Sequence, residues 1–243
     1  MTKAVLLNNI EHKDLKVDAK PNAKYGDNVN RSLAFSSEFG DLQKEYPILF
    51  HKDQATGEFQ SHVVLGLDRD ENLFLDDSGW LGNYVPAALA RGPFLIGFQK
   101  QELDGKTRNE PVIHIDTESP RVGVENGEPV FLPFGGDSPY LENVMRSLQA
   151  VQQGAVFDKI MFSSFEAADL LEPVSIEITL NSSESYNLGN YYTINEEKLM
   201  QLEGDVLDDL HKKGVLQLAY LALSSLGNVQ RIIDLKNKKS AIA

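Results

Sequence analysis

The chain has 243 residues, of which 42% are hydrophobic, so it is long and apolar enough to bury the core of one large domain. Acidic residues number 36 and basic residues 23, and the net charge of -13 repels nucleic acid and anionic membrane surfaces. The absence of cysteine excludes disulfides, thiolate catalysis and cysteine-based zinc sites.

Residues 1–30 are polar and rich in turn-forming residues, and we expect them to wrap over a surface. The apolar run at 4–7 is too short for the hydrophobic core of a signal peptide. No segment approaches the roughly 20 apolar residues that a membrane span needs. The sequence therefore predicts a soluble cytoplasmic protein, and a signal-independent route to the cell surface is the alternative.

Short apolar runs predict strands in the first part of the chain. The run at 45–50 predicts a strand with Pro47 at its start or on a sheet edge, because proline cannot donate to the ladder. Runs at 63–67 and 72–75 flank a charged turn and predict a hairpin. A polar loop is expected over 101–110. Further strands are predicted at 94–98, 112–115 and 130–132.

Helical patterns begin at Ser138. This serine can cap a helix whose first residue is Pro139, and Gly154 is placed to end it. A second helix is predicted within 158–171 and stops before Pro173.

One strand and two longer helices are predicted next. Residues 174–180 alternate apolar and polar side chains, as a half-buried strand does. Asn195 can cap a helix that Gly214 ends, and a final helix is predicted over 215–236. The basic tail at 236–239 is expected to fray.

Strands followed by helices predict an α+β fold. We expect a single domain over residues 1–243. Its first part, 1–136, should be β-rich with short, mostly antiparallel strands, and its second part, 137–243, should be rich in helices.

The common catalytic and cofactor motifs fail on spacing. A phosphate loop ending at Lys106 would need glycine where Lys100 stands, and a calcium loop starting at Asp68 would need glycine where Leu73 stands. Neither the nucleophile elbow nor the dinucleotide fingerprint occurs. We therefore expect no catalytic residue, no cofactor and no metal site.

One enzymatic alternative stays open at His114 and Asp116. Residues two apart on a strand share a face, and such a pair supplies two ligands of the facial triad of non-haem iron oxygenases. The third ligand would have to be His211, which lies late in a predicted helix.

The segment 71–97 is dense in aromatic residues and prolines and contains Trp80, the single tryptophan of the chain. One interpretation is structural, with Trp80, Tyr84 and Phe94 anchoring a loop to the sheet. The other is a site for a ligand or a protein partner, in which Arg91 joins these rigid aromatic residues.

The same segment, together with other short motifs, resembles the SapC-like bacterial family. The Glu-Tyr-Pro-Ile-Leu-Phe run and the Tyr-Val-Pro-Ala segment are the most specific of these motifs. The resembling residues are 45–50, 71–74, Trp80, 84–87, 93–94, Asp116, 119–120, Leu210, 214–216 and 225–228.

The resemblance implies an accessory or binding role. The family takes its name from a surface-layer-associated protein, and its members tend to be encoded near flavin-dependent halogenase-like proteins, cupin-like hydroxylases and TonB-dependent receptors. This neighbourhood implies a part in nutrient uptake or in peptide or amino-acid modification. The first hypothesis is a non-enzymatic binding protein, and a structural surface-layer component is a further alternative.

Overall fold

The computed structural model describes residues 3–103 and 106–241, with side chains described outside 101–108. The chain forms two compact units, each assembled from two separate stretches of sequence. Unit 1 contains Met1–Pro21 and Ala87–Gln152. Unit 2 contains Asn22–Pro86 and Gln153–Ala243.

Strands and helices alternate irregularly along the described residues. The strands are β1 (Ala4–Leu6), β2 (Lys16–Val17), β3 (Arg31–Ala34), β4 (Ile48–Lys52), β5 (Phe59–Val64), β6 (Leu75–Asp76), β7 (Gly79–Trp80), β8 (Phe94–Leu103), β9 (Lys106–Asp116), β10 (Glu128–Pro129), β11 (Leu171–Thr179) and β12 (Ser185–Ile194). The α-helices are α1 (Phe39–Leu42), α2 (Ala87–Ala90), α3 (Pro139–Ala167), α4 (Glu196–Met200), α5 (Gly204–Lys212), α6 (Leu216–Ser225) and α7 (Val229–Ser240). No helix within residues 3–103 and 106–241 is both long and apolar enough to cross a membrane.

Unit 1 is built on a three-stranded antiparallel sheet in the order β1-β9-β8. Phe94 and Ile115 form a cross-strand pair, and both are fully buried. The sheet, β2 and the first part of α3 supply one hydrophobic core. Its buried residues are Val17, Phe94, Ile115, Val130, Phe131, Leu141, Val144 and Leu148.

Two strand boundaries in unit 1 differ from the prediction. The polar stretch 101–110 was expected to be a loop, but β8 runs to Leu103 and β9 begins at Lys106, while residues 104–105 lie outside the described chain. The polar stretch has no alternation of apolar side chains that would predict a strand. Backbone hydrogen bonds between β8 and β9 nevertheless continue to the end of the hairpin. The strand expected at 130–132 is wrong: the preceding residues Glu128–Pro129 form β10 and pair with β2, and Phe131 makes only an isolated bridge with Asp137.

Helix α3 is continuous over 29 residues, and the prediction that Gly154 ends it is wrong. A Cβ added at Gly154 would lie 2.4 Å from the Cβ of Phe35, so glycine here permits a close approach rather than a helix end. Ser138 caps the helix by accepting the backbone N–H of Leu141 at 3.1 Å, as predicted.

Unit 2 is built on a five-stranded antiparallel sheet in the order β11-β12-β4-β5-β3. Pro47 directly precedes β4, which confirms its predicted place at the start of a strand. The hairpin expected between 63–67 and 72–75 is wrong, because β5 already pairs with β3 on one edge and β4 on the other. A strand has only two edges, so Leu75 pairs instead with Trp80 between β6 and β7.

The helices at the end of the chain are shorter than the sequence patterns predict. Asn195 caps α4 by accepting the N–H of Lys198 at 2.8 Å, and Gly214 ends the helical run with a φ of +73°, both as predicted. Residues 201–203 separate α4 from α5, and α5 begins at Gly204, which has a φ of +59°. The single final helix expected over 215–236 is interrupted by a 3-10 turn at Leu226–Asn228, which separates α6 from α7.

The basic tail does not fray, because α7 extends to Ser240. Lys236 is 8% exposed and forms ion pairs with Asp68 and Glu71, at 2.5 and 2.9 Å. Lys239 adds a third ion pair, 3.1 Å from Glu71. Ion pairs with Asp68 and Glu71 therefore stabilise the end of α7. These partners lie far away in the sequence, so local sequence patterns do not predict them. Taken together, the antiparallel sheets and late helices confirm the predicted α+β class.

Candidate functional site

A cleft of about 450 Å³ lies within unit 2. The end of β3, the turn between β4 and β5, the start of β5 and the second part of α3 enclose it. We call it the α3 cleft. It is lined by Leu33, Ala34, Phe35, Thr56, Gly57, Glu58, Phe59, Gln60, Ser61, Ala155, Asp158, Lys159, Phe162, Ser163 and Glu166.

Aromatic rings form the apolar wall of the α3 cleft. Phe59 stacks on Phe162 with ring centroids 5.6 Å apart. Phe35 is buried where Gly154 lets it pack against the helix. These contacts give the cleft a rigid wall, since both the strand and the helix are held by the core of unit 2.

Asp158 is the acidic group held within the cleft wall. Its Oδ1 accepts the backbone N–H of Ser36 at 3.0 Å, which fixes the carboxylate in position. Burial raises the pKa of Asp158 above its usual value, although the Ser36 hydrogen bond opposes that effect. The carboxylate is therefore partly stripped of water and would gain from a ligand that donates hydrogen bonds.

Ser61 adds a second polar group to the wall. It is 1% exposed, and among the described residues its Oγ has no hydrogen-bond partner. Ser61 and Phe59 lie two residues apart on β5 and so share a face of the sheet. A buried hydroxyl without a partner is uncommon, so Ser61 retains an unused hydrogen-bonding group.

The loop at 80–84, which carries two of the sequence-predicted site residues, is tied to the core of unit 2. Trp80 donates from Nε1 to the Tyr46 hydroxyl at 2.8 Å, and Tyr46 in turn donates to the carbonyl oxygen of Tyr84. The Tyr84 hydroxyl donates to Oε2 of Glu38 at 2.9 Å. Burial, with the nearby Glu38 charge, raises the pKa of Tyr84, so this phenol stays protonated and keeps its donor.

Gly82 is required in this loop by close packing. A Cβ at this position would lie 2.4 Å from the Tyr46 hydroxyl and 2.7 Å from Oε2 of Glu45. Both Glu45 oxygens accept the N–H of Asn83, at 2.9 and 3.0 Å, and Arg231 lies 3.3 Å from Oε2. The loop is therefore anchored at Trp80, Asn83 and Tyr84 in succession.

The other two sequence-predicted site residues lie in unit 1. Arg91 donates from Nη1 to the carbonyl oxygen of Phe94 at 2.8 Å. Phe94 is fully buried and packs edge-on against Tyr140, with ring centroids 6.0 Å apart. The four predicted residues thus form two local pairs, with Trp80 and Tyr84 in one unit and Arg91 and Phe94 in the other.

The possible iron ligands His114 and Asp116 both lie on β9. The His114 ring covers Gly97, where an added Cβ would lie 2.2 Å from it, and its Nδ1 is buried without a described partner. Asp116 accepts the backbone N–H groups of Lys3 and Glu118 through Oδ1, at 3.0 and 3.2 Å. Over residues 3–100 and 109–241, no three His, Asp or Glu side chains come close enough to hold a metal ion.

Comparison with known proteins identifies the family. The SapC family model matches residues 7–232 of the chain. The protein belongs to the SapC family. No curated protein and no solved structure matches the chain.

Sequence reasoning did not find the α3 cleft of this SapC protein. Its wall comes from stretches near residues 35, 60 and 160, which only the tertiary structure brings together. A partial signal was nevertheless present, because Ala155, Asp158, Phe162 and Glu166 recur at the spacing of one helical face. The predicted helix end at Gly154 concealed this face of α3.

Proposed function

We propose that this SapC protein is a non-enzymatic binding protein whose small-molecule site is the α3 cleft. The observation that carries the proposal is the cleft's combination of an aromatic wall with two polar lining residues, Asp158 and Ser61. Its volume of about 450 Å³ lies within the range of small-ligand sites. Such sites are largely apolar, with a few polar groups that orient the ligand.

Ligand binding can be tested by NMR with a mixture of small aromatic fragments. We expect amide shifts to cluster on β5 and on the second part of α3. Phe59→Ser should reduce these shifts because it removes part of the aromatic wall, while the half-exposed position limits the effect on folding. Phe98→Ser is the matched control, since Phe98 is 64% exposed and lies in unit 1. If the fragment-induced amide shifts are the same in both variants as in the unsubstituted protein, the cleft is not the binding site.

We also propose a protein partner for the surface beside Trp80 and Tyr84. Leu81 is 46% exposed in a loop whose flanking residues are hydrogen-bonded to the core. A surface that is already rigid loses little conformational entropy on binding. In unit 1, Arg91, which donates to the carbonyl oxygen of Phe94, is proposed separately as a partner contact.

We propose that this binding serves an accessory role in the cytoplasm, within nutrient uptake or peptide or amino-acid modification. Halogenase-like and hydroxylase proteins are the partners to test. In pull-downs with such proteins, Leu81→Asp should lower capture, whereas Met200→Asp should not, because Met200 is 68% exposed but distant in sequence from the loop. Equal capture by both variants would exclude the loop. Recovery of the protein only in the cell-surface fraction would favour a structural surface-layer component instead.

A further inference from the structure

The chemistry of the α3 cleft narrows the class of ligand. We propose that the cleft selects a small organic ammonium cation, with its apolar body against Phe59 and Phe162 and its N–H groups directed at Asp158 and Ser61. The inference rests on the proposed function, because it names the ligand class for the same cleft.

The charged residues around the cleft favour a cation. Glu58, Asp158 and Glu166 are acidic, and Lys159 is the basic residue among the lining side chains. A concave surface lined mainly by one sign of charge concentrates ions of the opposite sign. The net charge of -13 over the whole chain acts in the same direction.

Asp158 is positioned to receive the ammonium group. The N–H of Ser36 holds its Oδ1 at 3.0 Å, and an ionised carboxylate retains further lone pairs for other donors. Hydrogen bonds between an ammonium group and a carboxylate are stronger than those between neutral groups. Because the carboxylate is partly desolvated by burial, a cation restores favourable interactions that a neutral ligand supplies less well.

Ser61 offers a second polar contact for the ligand. Its Oγ is buried and unpartnered among the described residues, and it lies on the β5 face that carries Phe59. A hydroxyl oxygen can accept a hydrogen bond from an ammonium N–H. An ammonium group has several N–H donors, so it can satisfy this oxygen and the Asp158 carboxylate together, which an anion cannot.

The aromatic wall suits the apolar body of the ligand. Cations are attracted to the faces of aromatic rings within about 6 Å of the centroid. Lys52 places its Nζ 4.8 Å from the Phe59 centroid, so a cation of the protein already lies over this ring, and the ligand's ammonium group is assigned to Asp158 rather than to the ring. Phe162 extends the surface over which an apolar body can pack.

Three probes of similar size and different charge test the inference: phenethylammonium, phenethyl alcohol and phenylacetate. NMR titration of the full chain should show all shifts at the cleft, with the ammonium binding about tenfold more tightly than the alcohol and the carboxylate binding most weakly. Asp158→Asn should abolish the preference for the cation while leaving the alcohol's affinity unchanged. Glu142→Gln, an exposed substitution on the first part of α3, is the control.

Ser61→Ala tests the same site without touching the Ser36 hydrogen bond. It should weaken ammonium binding several-fold and leave folding intact, because it removes a hydroxyl that has no partner in the described structure. If the alcohol binds in the cleft as tightly as the ammonium, the ammonium inference fails and the cleft remains a binding site. If no probe shifts cleft resonances, the inference and the proposed small-molecule site both fail.

Discussion

Trp80 and Tyr46 share a hydrogen bond of 2.8 Å between the indole Nε1 and the phenolic oxygen. Tyr46 is fully buried, and its ring packs edge-on against Phe74 at 4.7 Å. Through its own hydroxyl hydrogen it also binds the carbonyl oxygen of Tyr84. One buried phenol therefore accepts from one end of the 80–84 loop and donates to the other.

Tyr46→Phe should destabilise the protein by about 1–3 kcal/mol, because the indole N–H and the Tyr84 carbonyl both lose a partner in a poorly hydrated place. Urea denaturation followed by Trp80 fluorescence measures the change and also reports the environment of the loop. Tyr220→Phe is the control, since Tyr220 is 50% exposed and should change stability by less than about 0.5 kcal/mol. Equal stability of the two variants would show that the phenol does not secure the loop.

Replacing Lys236, the buried lysine near the end of α7, should lower the stability of the folded protein. Lys236→Met leaves the carboxylate of Glu71, whose side chain is 6% exposed, with Lys239 as its remaining ion-pair partner. Loss of one member of a buried ion pair costs about 3 kcal/mol, which chemical denaturation can measure. Lys213→Met breaks a solvent-exposed pair with Asp209 and should cost less than about 1 kcal/mol.

A double variant separates the loss of the Lys236–Glu71 ion pair from the penalty of leaving the Glu71 carboxylate buried without that partner. Adding Glu71→Gln to Lys236→Met removes the uncompensated carboxylate, so the double variant should recover part of the lost stability. A double variant less stable than Lys236→Met alone would contradict this account.

Gly154→Ala should destabilise the protein even though alanine favours a helix. Alanine gains about 1 kcal/mol over glycine in helix propensity, but its Cβ would lie 2.4 Å from the Cβ of Phe35. Overpacking typically costs about 1–3 kcal/mol, so we expect a net loss by thermal or urea unfolding. Gly40→Ala in α1 has no atom within 4 Å of the added Cβ and should be neutral or stabilising. A stabilised Gly154→Ala variant would rule out the close approach.

His62 should make folding stability sensitive to mild acid. Burial, followed by the charge of Arg31, lowers the pKa of His62 to about 4, and its ring lies 5.8 Å from that of His51. Below the ordinary value of about 6.5 the unfolded chain binds a proton that the folded chain does not. Stability is therefore unaffected above that value and falls progressively as the pH drops towards 4, by about 3 kcal/mol in total.

Urea denaturation at several pH values tests this dependence. His62→Gln should flatten the stability profile between pH of about 6.5 and about 5, whereas His211→Gln, at an exposed position, should keep it. Glu71 does not contribute to the change over this pH range. Its pKa is lowered in the folded protein, so the stability that its ionised form provides is lost only at more acidic pH. An unchanged profile in His62→Gln would assign the acid sensitivity to other groups.

Local sequence patterns predicted elements whose signals lie within a few residues. The cap at Asn195, the start of α3 at Ser138 and the helix end at Gly214 all follow from hydrogen-bonding or backbone preferences of single residues. The alternation at 174–180 predicted a strand that forms within β11, Leu171–Thr179. The prediction at Gly154 was wrong. Glycine often ends a helix, but here it lies within α3 and lets Phe35 approach the helix closely.

The sequence by itself determined the α+β class and, through motifs that include Trp80 and Tyr84, the family. Only the tertiary structure decided that Tyr46 joins these two residues, that Lys236 is buried against Glu71, and that a cleft forms beside Asp158. Elements form from preferences over a few neighbours, whereas these contacts join residues far apart in the chain. Their partners are set by the packing of β5, α3 and α7, which no local pattern specifies.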